Sequence, residues 1–256
     1  MALTTVPVEL ANLDGAVTVN ESSADVDFRI ESNGNANMLF VDGGSDRVGI
    51  GTNSPSANLE IEASSADAEF DIDSNGGSGR RYRLASLTDG KFEIKDKTAN
   101  SSRMTIDSAG RVTMPLQPAF LVKLDGDQNN ITNTHSSNIT IEFDDEIFDV
   151  GNNFGSNQFT APVTGKYLLT YSLRTQYQDS SGTISFSVIM ETSNRNISQY
   201  ADMRGFDADP TYYPFTYAMV HDMDAGDTAK ITVYQDGTTT QADISQYSYF
   251  SGQLIS

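Results

Sequence analysis

The sequence predicts an all-β protein in two parts, a β-repeat stem over residues 21–114 and a sandwich head over residues 115–256. Three observations carry that expectation. No long segment places apolar residues at i, i+3, i+4 and i+7, so helical periodicity is missing. Short alternating runs recur instead, punctuated by Asn33-Gly34, Gly43-Gly44, Asn75-Gly76 and Asp89-Gly90. Such dipeptides supply the positive φ that tight hairpin turns require. Aromatic residues are also shared unevenly. Phe28, Phe40, Phe70, Tyr82 and Phe92 precede Met114, and the other 19 of the 24 Phe and Tyr follow it. Aromatic side chains bury the most apolar area per residue. The C-terminal part can therefore build a core of its own, whereas the N-terminal part needs neighbours.

Residues 1–20 precede the first strand. The stretch Val6-Pro-Val-Glu-Leu-Ala-Asn-Leu13 is apolar enough to dock on another surface, and the alternative is a strand that starts the stem. Strands are then expected at Val26–Glu31, Leu59–Glu62, Phe70–Asp73 and Phe92–Lys95, where apolar and polar residues alternate. Two of these segments are copies. Ser22–Gly34 and Ser64–Gly76 agree at nine of 13 positions at an offset of 42. The continuation Leu39-Phe-Val-Asp-Gly-Gly-Ser-Asp-Arg-Val48 is echoed by Met104-Thr-Ile-Asp-Ser-Ala-Gly-Arg-Val112 at a larger offset. The second copy thus carries an insertion, roughly Arg80 to Asn100, that reads as an extra hairpin. Each unit has few large apolar side chains, too few to offset an ordering cost of about 1–2 kcal/mol per residue. Three chains around an axis would bury those faces together, which predicts a trimeric β stem.

The segment Asp46-Arg-Val-Gly-Ile-Gly-Thr-Asn-Ser-Pro-Ser-Ala-Asn-Leu-Glu-Ile61 resembles a motif of phage tail-fibre and trimeric-adhesin stems. An Arg-Val-Gly-Ile-Gly-Thr core is followed there by Pro and a Leu-x-Ile strand. Gly49 and Gly51 are expected to allow close backbone approach near an axis.

Met114-Pro115-Leu116-Gln117-Pro118 is the expected joint, because prolines stiffen a connection and stop strand pairing. Beyond it, strands are expected at Phe120–Val122, Ile139–Phe143, Gln158–Thr160, Tyr167–Leu173, Ile184–Met190, Phe215–Val220, Ala229–Tyr234 and Tyr249–Ile255. That density indicates a sandwich or jelly roll. Within it, Phe148, Phe154, Phe159, Gly165, Tyr167 and Tyr171 stand at the spacings of the complement-q globular-head signature. Asp224-Ala-Gly-Asp227 with the strand after it, and Tyr249-Phe-Ser-Gly-Gln-Leu-Ile255, are similar to that family's late turn and closing strand. The resemblance covers about 140 residues and implies a tumour-necrosis-factor-like jelly roll. It further implies a compact homotrimer, partner binding through exposed loops and no enzyme activity. The chain departs from the family's usual architecture, since it has no collagen Gly-x-y repeat.

Composition excludes several function classes. The formal charge is −19, divided as −8 over residues 1–115 and −11 over residues 116–256. A field of this sign repels nucleic acid and anionic membrane. Cysteine is absent, which rules out a disulfide scaffold and thiolate metal ligation. No apolar run approaches the roughly 20 residues of a membrane span, and the N-terminus has no basic region followed by an apolar core, so no signal peptide is expected.

Candidate sites are few. His135 and His221 are the only histidines, and both read as turn or surface residues rather than catalytic bases. No nucleophile elbow, phosphate loop or His-Glu-x-x-His pattern is present. The clusters Asp144-Asp145-Glu146, Asp222/Asp224 and Asp207/Asp209 could offer oxygen ligands to Ca²⁺, although calcium-loop spacing is missing and solvated loops are the plainer reading. The segment Arg204–Pro214 is the most ligand-like. It sets Phe206, Tyr212 and Tyr213 beside Asp207 and Asp209, a combination suited to sugar or protein recognition. The plain alternative is that Tyr212 and Tyr213 begin the next strand or line a trimer interface. No cofactor is expected.

These readings converge on a homotrimeric virion fibre assembled in a reducing host cytoplasm and displayed on the virion surface. The N-terminus would attach to other virion proteins and the head would bind a host surface glycan or protein. The alternative is a capsid head-fibre or decoration protein with a mainly structural role.

Overall fold

The computed structural model describes residues 22–131, 138–181, 183–237 and 241–256. The N-terminal segment 1–20 and His135 lie outside the described residues. The chain divides between Met114 and Pro115 into two compact units.

The first unit holds two small sheets. Strands β1 (Phe28–Ile30), β2 (Leu39–Asp42), β3 (Arg47–Ile50) and β4 (Leu59–Ile61) pair in sequence order. The first two pairings are antiparallel, and β3 and β4 run parallel. Strands β5 (Ala68–Asp73), β6 (Arg81–Ser86), β7 (Phe92–Asp96), β8 (Ser101–Ile106) and β9 (Val112–Thr113) form an antiparallel meander. The two sheets share a plan. In the first copy of the repeat β1 pairs β2, which turns into β3; in the second, β8 turns into β9 in the same way. The inserted residues form the hairpin β6–β7 between β5 and β8. Adding two antiparallel strands restores the original direction, so the insertion leaves the repeat's polarity intact.

Period-two alternation gives each sheet one apolar and one polar face. In the meander, Phe70, Leu84, Ile94 and Met104 are in register across four strands, with Ile72 opposite Tyr82 and Phe92 opposite Ile106. On the other face Arg83 pairs with Glu69 and Asp71, and Arg81 with Asp73. Phe40 and Ala85 are the only buried hydrophobic side chains described in this unit. Phe70, Ile72, Tyr82, Phe92 and Val112 are exposed on the meander, as are Phe28, Ile30, Val41, Ile50 and Leu59 on the smaller sheet.

The glycines of the stem motif do allow a close backbone approach. A Cβ at Gly49 would stand 2.4 Å from the Thr52 carbonyl oxygen, and one at Gly51 would stand 2.1 Å from that of Glu62. Gly51 also has a φ of +87°. The close approach is therefore made by the chain's own backbone as it swings from β3 to the parallel β4.

The second unit is a two-sheet sandwich. Its strands are β10 (Ala119–Lys123), β11 (Gln128–Ile131), β12 (Ile139–Thr140), β13 (Asp145–Val150), β14 (Phe154–Gly155), β15 (Gln158–Thr160), β16 (Gly165–Gln176) and β17 (Thr183–Thr192). They are followed by β18 (Asn196–Asp202), β19 (Tyr212–Met223), β20 (Thr228–Gly237), β21 (Ala242–Ile244) and β22 (Tyr249–Leu254). One sheet runs β11-β21-β16-β22-β10-β13, with β19 also paired to β16. The other runs β14-β15-β20-β17-β18, with β12 also paired to β20. The core between them is aromatic. Phe120 stacks on Phe159 at 4.7 Å and meets Phe250 edge-on at 4.9 Å. Tyr167, Leu169, Leu173, Phe186 and Met190 are buried with them.

The signature residues find their roles here. Phe154, Phe159, Tyr167 and Tyr171 pack in or against the core, whereas Phe148 is exposed. Gly252 of the closing strand lies under Phe120, where a Cβ would stand 2.6 Å from the ring. Each expected head strand exists, but Ile139–Phe143 contributes only the two residues of β12. Asp145 and Glu146 open strand β13 and are not a loop cluster. His221 is likewise no surface residue. It sits inside β19, is 1% exposed, and shares a 3.0 Å hydrogen bond between Nε2 and the Tyr217 hydroxyl.

Candidate functional site: the loop end of the sandwich

Strand β16 spans the sandwich and fixes its two ends. Gly165 stands beside the end of the chain, where the Lys166 N–H donates to the Ser256 carbonyl. Gln176, at the other end, pairs with Tyr212 of β19 and Asp243 of β21. The 177–181 and 206–211 loops and the β21–β22 turn therefore gather at the end away from Pro115 and Ser256.

Carboxylates tie these loops down. Asp209 Oδ1 accepts from both the N–H and the hydroxyl of Ser180, each at 2.7 Å. These bonds, the backbone one foremost, hold its carboxyl below the usual range. Asp179 Oδ2 accepts from the Gln241 N–H, and Asp127 accepts from Gln176 Nε2 and the Gln246 N–H. Asp243 accepts from the Asn130 N–H. A loop N–H with no strand partner needs an acceptor, and aspartate supplies it here.

Of the ligand-like segment, Phe206 follows a 3₁₀ turn at Met203–Gly205 and meets Tyr213 edge-on at 5.7 Å. Tyr213 is half-buried against Phe215 and the core. Asp207 is exposed, and Asp209 is committed to Ser180. Tyr212 is exposed and stacks under a cation that the linear sequence does not place near it. The Arg174 guanidinium lies 4.4 Å from the Tyr212 ring centroid and 4.6 Å from that of Tyr247. Its Nη2 donates to Ser245 Oγ at 2.8 Å, and its Nε is buried without a hydrogen-bond partner. Tyr177 is exposed and adopts a φ of +50°, a strained conformation for a bulky side chain. The site thus takes Tyr212 from the expected segment and adds Arg174 and Tyr247, while Phe206 packs instead on Tyr213, which alternation turns to the opposite face of β19. Arg174 and Tyr247 stand 38 and 35 residues from Tyr212 in sequence, so only the register of β16 with β19 and β22 reveals them.

The carboxylates nominated for Ca²⁺ are spread over the molecule. Asp144 accepts from the Asp125 N–H, Asp145 pairs with Lys123 at 2.6 Å, and Asp222 pairs with Arg195 at 2.5 Å. Among the described residues no three acidic or imidazole groups converge on one point. Burial, chiefly, keeps the His221 imidazole below its ordinary pKa, hence neutral at pH 7.

The family model of the C1q domain matches residues 119–255. Among solved structures, the chain is similar to the globular domain of zebrafish complement 1qA protein, at 19% identity and a TM-score of 0.39 over 55% of this chain and 98% of that one. It is also similar to murine APRIL at pH 8.0, at 11% identity and a TM-score of 0.37 over 54% of this chain and 99% of that one. No curated protein sequence matches it. With more than half of its length matched, the chain belongs to the C1q-domain family, whose globular domains are typically trimeric, non-enzymatic modules that bind ligands or receptors.

Proposed function

We propose that this chain forms a homotrimeric virion fibre whose C-terminal head binds the host cell surface. One observation carries the self-association. Each stem sheet leaves large apolar side chains exposed on one face, with Phe70 48%, Ile72 58% and Leu59 58% exposed. Contiguous apolar surface of this kind marks an interface, and at about 25 cal/mol per Å² its burial between copies supplies what the unit's sparse core lacks. The head supports the same reading. The outer face of its first sheet carries exposed Phe148 and Val220 around a shallow depression lined by Ala119, Leu168, Thr170 and Ser251. The virion assignment rests on the likeness of Asp46–Ile61 to fibre stems and on a β stem in place of collagen. In this reading residues 1–20 dock on the particle and the fibre stands on the virion surface after assembly in the host cytoplasm. Three heads acting together would multiply a weak single-site affinity, because tethering raises effective concentration.

Deleting residues 115–256 from the fibre and measuring adsorption of the particle to host cells tests the function. Loss of adsorption with intact particles is expected, and unchanged adsorption rejects host binding by the head. Sedimentation of the full chain tests the assembly, with a trimer expected and a well-ordered monomer at micromolar concentration fatal to it.

A further inference from the structure

We infer that Arg174, Tyr212 and Tyr247 form a binding site for a carboxylate-bearing sugar, such as a hexuronate unit of an acidic polysaccharide. The inference rests on the head being a recognition domain, but not on the virion assignment.

The head is acidic, and it uses its cations sparingly. Lys123, Arg195, Arg204 and Lys230 each pair with a carboxylate, namely Asp145, Asp222, Asp202 and Glu191. Among the described residues neither Lys166, at the far end of β16, nor Arg174 does, although Asp127, Asp179, Asp209 and Asp243 all serve the same end of the sandwich as Arg174. Those carboxylates are occupied with backbone and side-chain donors. Arg174 is instead held by two ring faces and one hydroxyl, which orients the guanidinium plane without neutralising it. A planar guanidinium fixed in this way is suited to a carboxylate, which it can meet with parallel N–H donors.

The surroundings choose a sugar over a bare carboxylate. Tyr212 is 52% exposed, Tyr247 61% and Tyr177 56%. Tyr212 and Tyr247, which flank Arg174, each present a flat surface that can stack on the C–H face of a pyranose ring while the hydroxyl stays wet. Tyr177 holds its exposed place in a strained backbone conformation, its N–H donating to the Thr211 carbonyl at 3.2 Å. Strain of this sort collects at binding sites, where the surrounding structure sustains it. The site also lies at the end of the sandwich opposite Gly165 and Ser256.

The test is titration of the full-length chain with trigalacturonate, read by calorimetry and by tyrosine fluorescence, which no tryptophan masks in this sequence. The methyl ester of the same trisaccharide keeps the rings and removes the charge. A peptide with a free C-terminal carboxylate keeps the charge and removes the ring. The acid is expected to bind at least about tenfold more tightly than either control, and Arg174→Gln to lose about tenfold. Arg174→Lys should fall between, since it keeps the charge and loses the plane. Tyr247→Ala lies in an exposed turn where it cannot disturb the core, and it should weaken binding several-fold with an unchanged melting curve. Absence of binding at millimolar trigalacturonate, equal binding of the ester or the peptide, or full affinity in both Arg174→Gln and Tyr247→Ala overturns the assignment. A head that mediates adsorption yet ignores trigalacturonate would refute this site and leave the proposed function standing.

Discussion

Asp42 and Asp107 occupy the same place in the two copies of the stem repeat. Each follows a β-branched residue at the end of a strand, and each accepts two backbone N–H groups of its own turn on Oδ1. Asp42 takes those of Gly44 and Ser45 at 3.0 and 2.8 Å; Asp107 takes those of Ala109 and Arg111, both at 2.9 Å. In both carboxyls these backbone bonds are the leading cause of a lowered pKa. The echo between Leu39–Val48 and Met104–Val112 is therefore a conserved turn chemistry, in which a short carboxylate side chain closes a loop that backbone alone leaves open.

The stem should be sensitive to acid, and Asp96 is one identifiable source of that sensitivity. Asp96 has a fully buried carboxylate that accepts from Arg80, Arg103 and the Ala99 N–H. The Ala99 bond, followed by the arginines, lowers its pKa from 3.8 to about 2. A carboxyl depressed on folding contributes stability that is complete above its unfolded value and lost as pH falls through the folded one. Thermal melts of the full chain should therefore lose stability between about pH 4 and pH 2. Asp96→Asn should melt lower at neutral pH, because two cations lose their partner, and should show less of that acid-dependent loss. An Asp96→Asn melt identical to that of the parent chain at every pH would remove Asp96 from this role.

The apolar stem face predicts a second outcome. Phe70 and Ile72 alternate along β5 with Asp71, so they stand on the face opposite the arginine pairs. Burying such a side chain is worth about 1.5–3 kcal/mol, and a trimer loses that three times over when it is replaced. Ile72→Asp should convert the trimer to monomer in sedimentation while the head keeps its tyrosine circular dichroism. The mirror change Asp71→Asn, on the charged face, should leave assembly intact.

His221 gives a pH prediction for the head, in a different window. Burial lowers its folded pKa below the unfolded 6.5. The unfolded chain then binds the proton first, so the head keeps its full stability above about pH 6.5 and loses it as pH falls towards the folded value. His221→Gln cannot acquire a charge and keeps a donor and acceptor for the Tyr217 hydroxyl. It should flatten the stability curve below about pH 6.5. An unchanged slope in that window would assign the acid loss to other groups.

Much of the fold was legible because alternation and turn dipeptides are local. The aromatic blocks around Phe159 and Tyr167 and the closing Phe250-Ser251-Gly252 are continuous stretches that report a core directly. Strand β18 was not legible, since Asn-Ile-Ser-Gln-Tyr-Ala-Asp has one aliphatic residue longer than alanine and lies at a sheet edge. Strand β13 was obscured by its opening acids, of which Asp145 pairs with Lys123 across the sheet. His221 read as a turn or surface residue because it follows the strand expected to end at Val220, yet β19 runs on to Met223 and alternation turns the His221 side chain inward. The loop-end site was half legible. Tyr212 stood out among its sequence neighbours, whereas Arg174 acquires meaning only once β16 lies beside β19.

Gly252 ties the family signature to packing, and that can be measured. A Cβ there would stand 2.6 Å from Phe120 Cε1 and 2.7 Å from Leu169 Cδ2. Phe120 is wedged between Phe159 and Phe250 and cannot retreat. Gly252→Ala should thus behave as overpacking, costing about 1–3 kcal/mol. For a domain of this size that lowers the head's melting temperature by several degrees, at roughly 2–4 °C per kcal/mol. Gly155→Ala is the matched control, because a Cβ at Gly155 meets nothing within 4 Å. It lies in the same unit, in the short strand β14, and should melt within a degree or so of the parent. The comparison separates steric crowding from the general effect of replacing a strand glycine, which gains stability from a stiffer unfolded chain. If Gly252→Ala melts with Gly155→Ala, the aromatic core has slack beneath Phe120, and the glycine of the closing strand has some purpose other than packing.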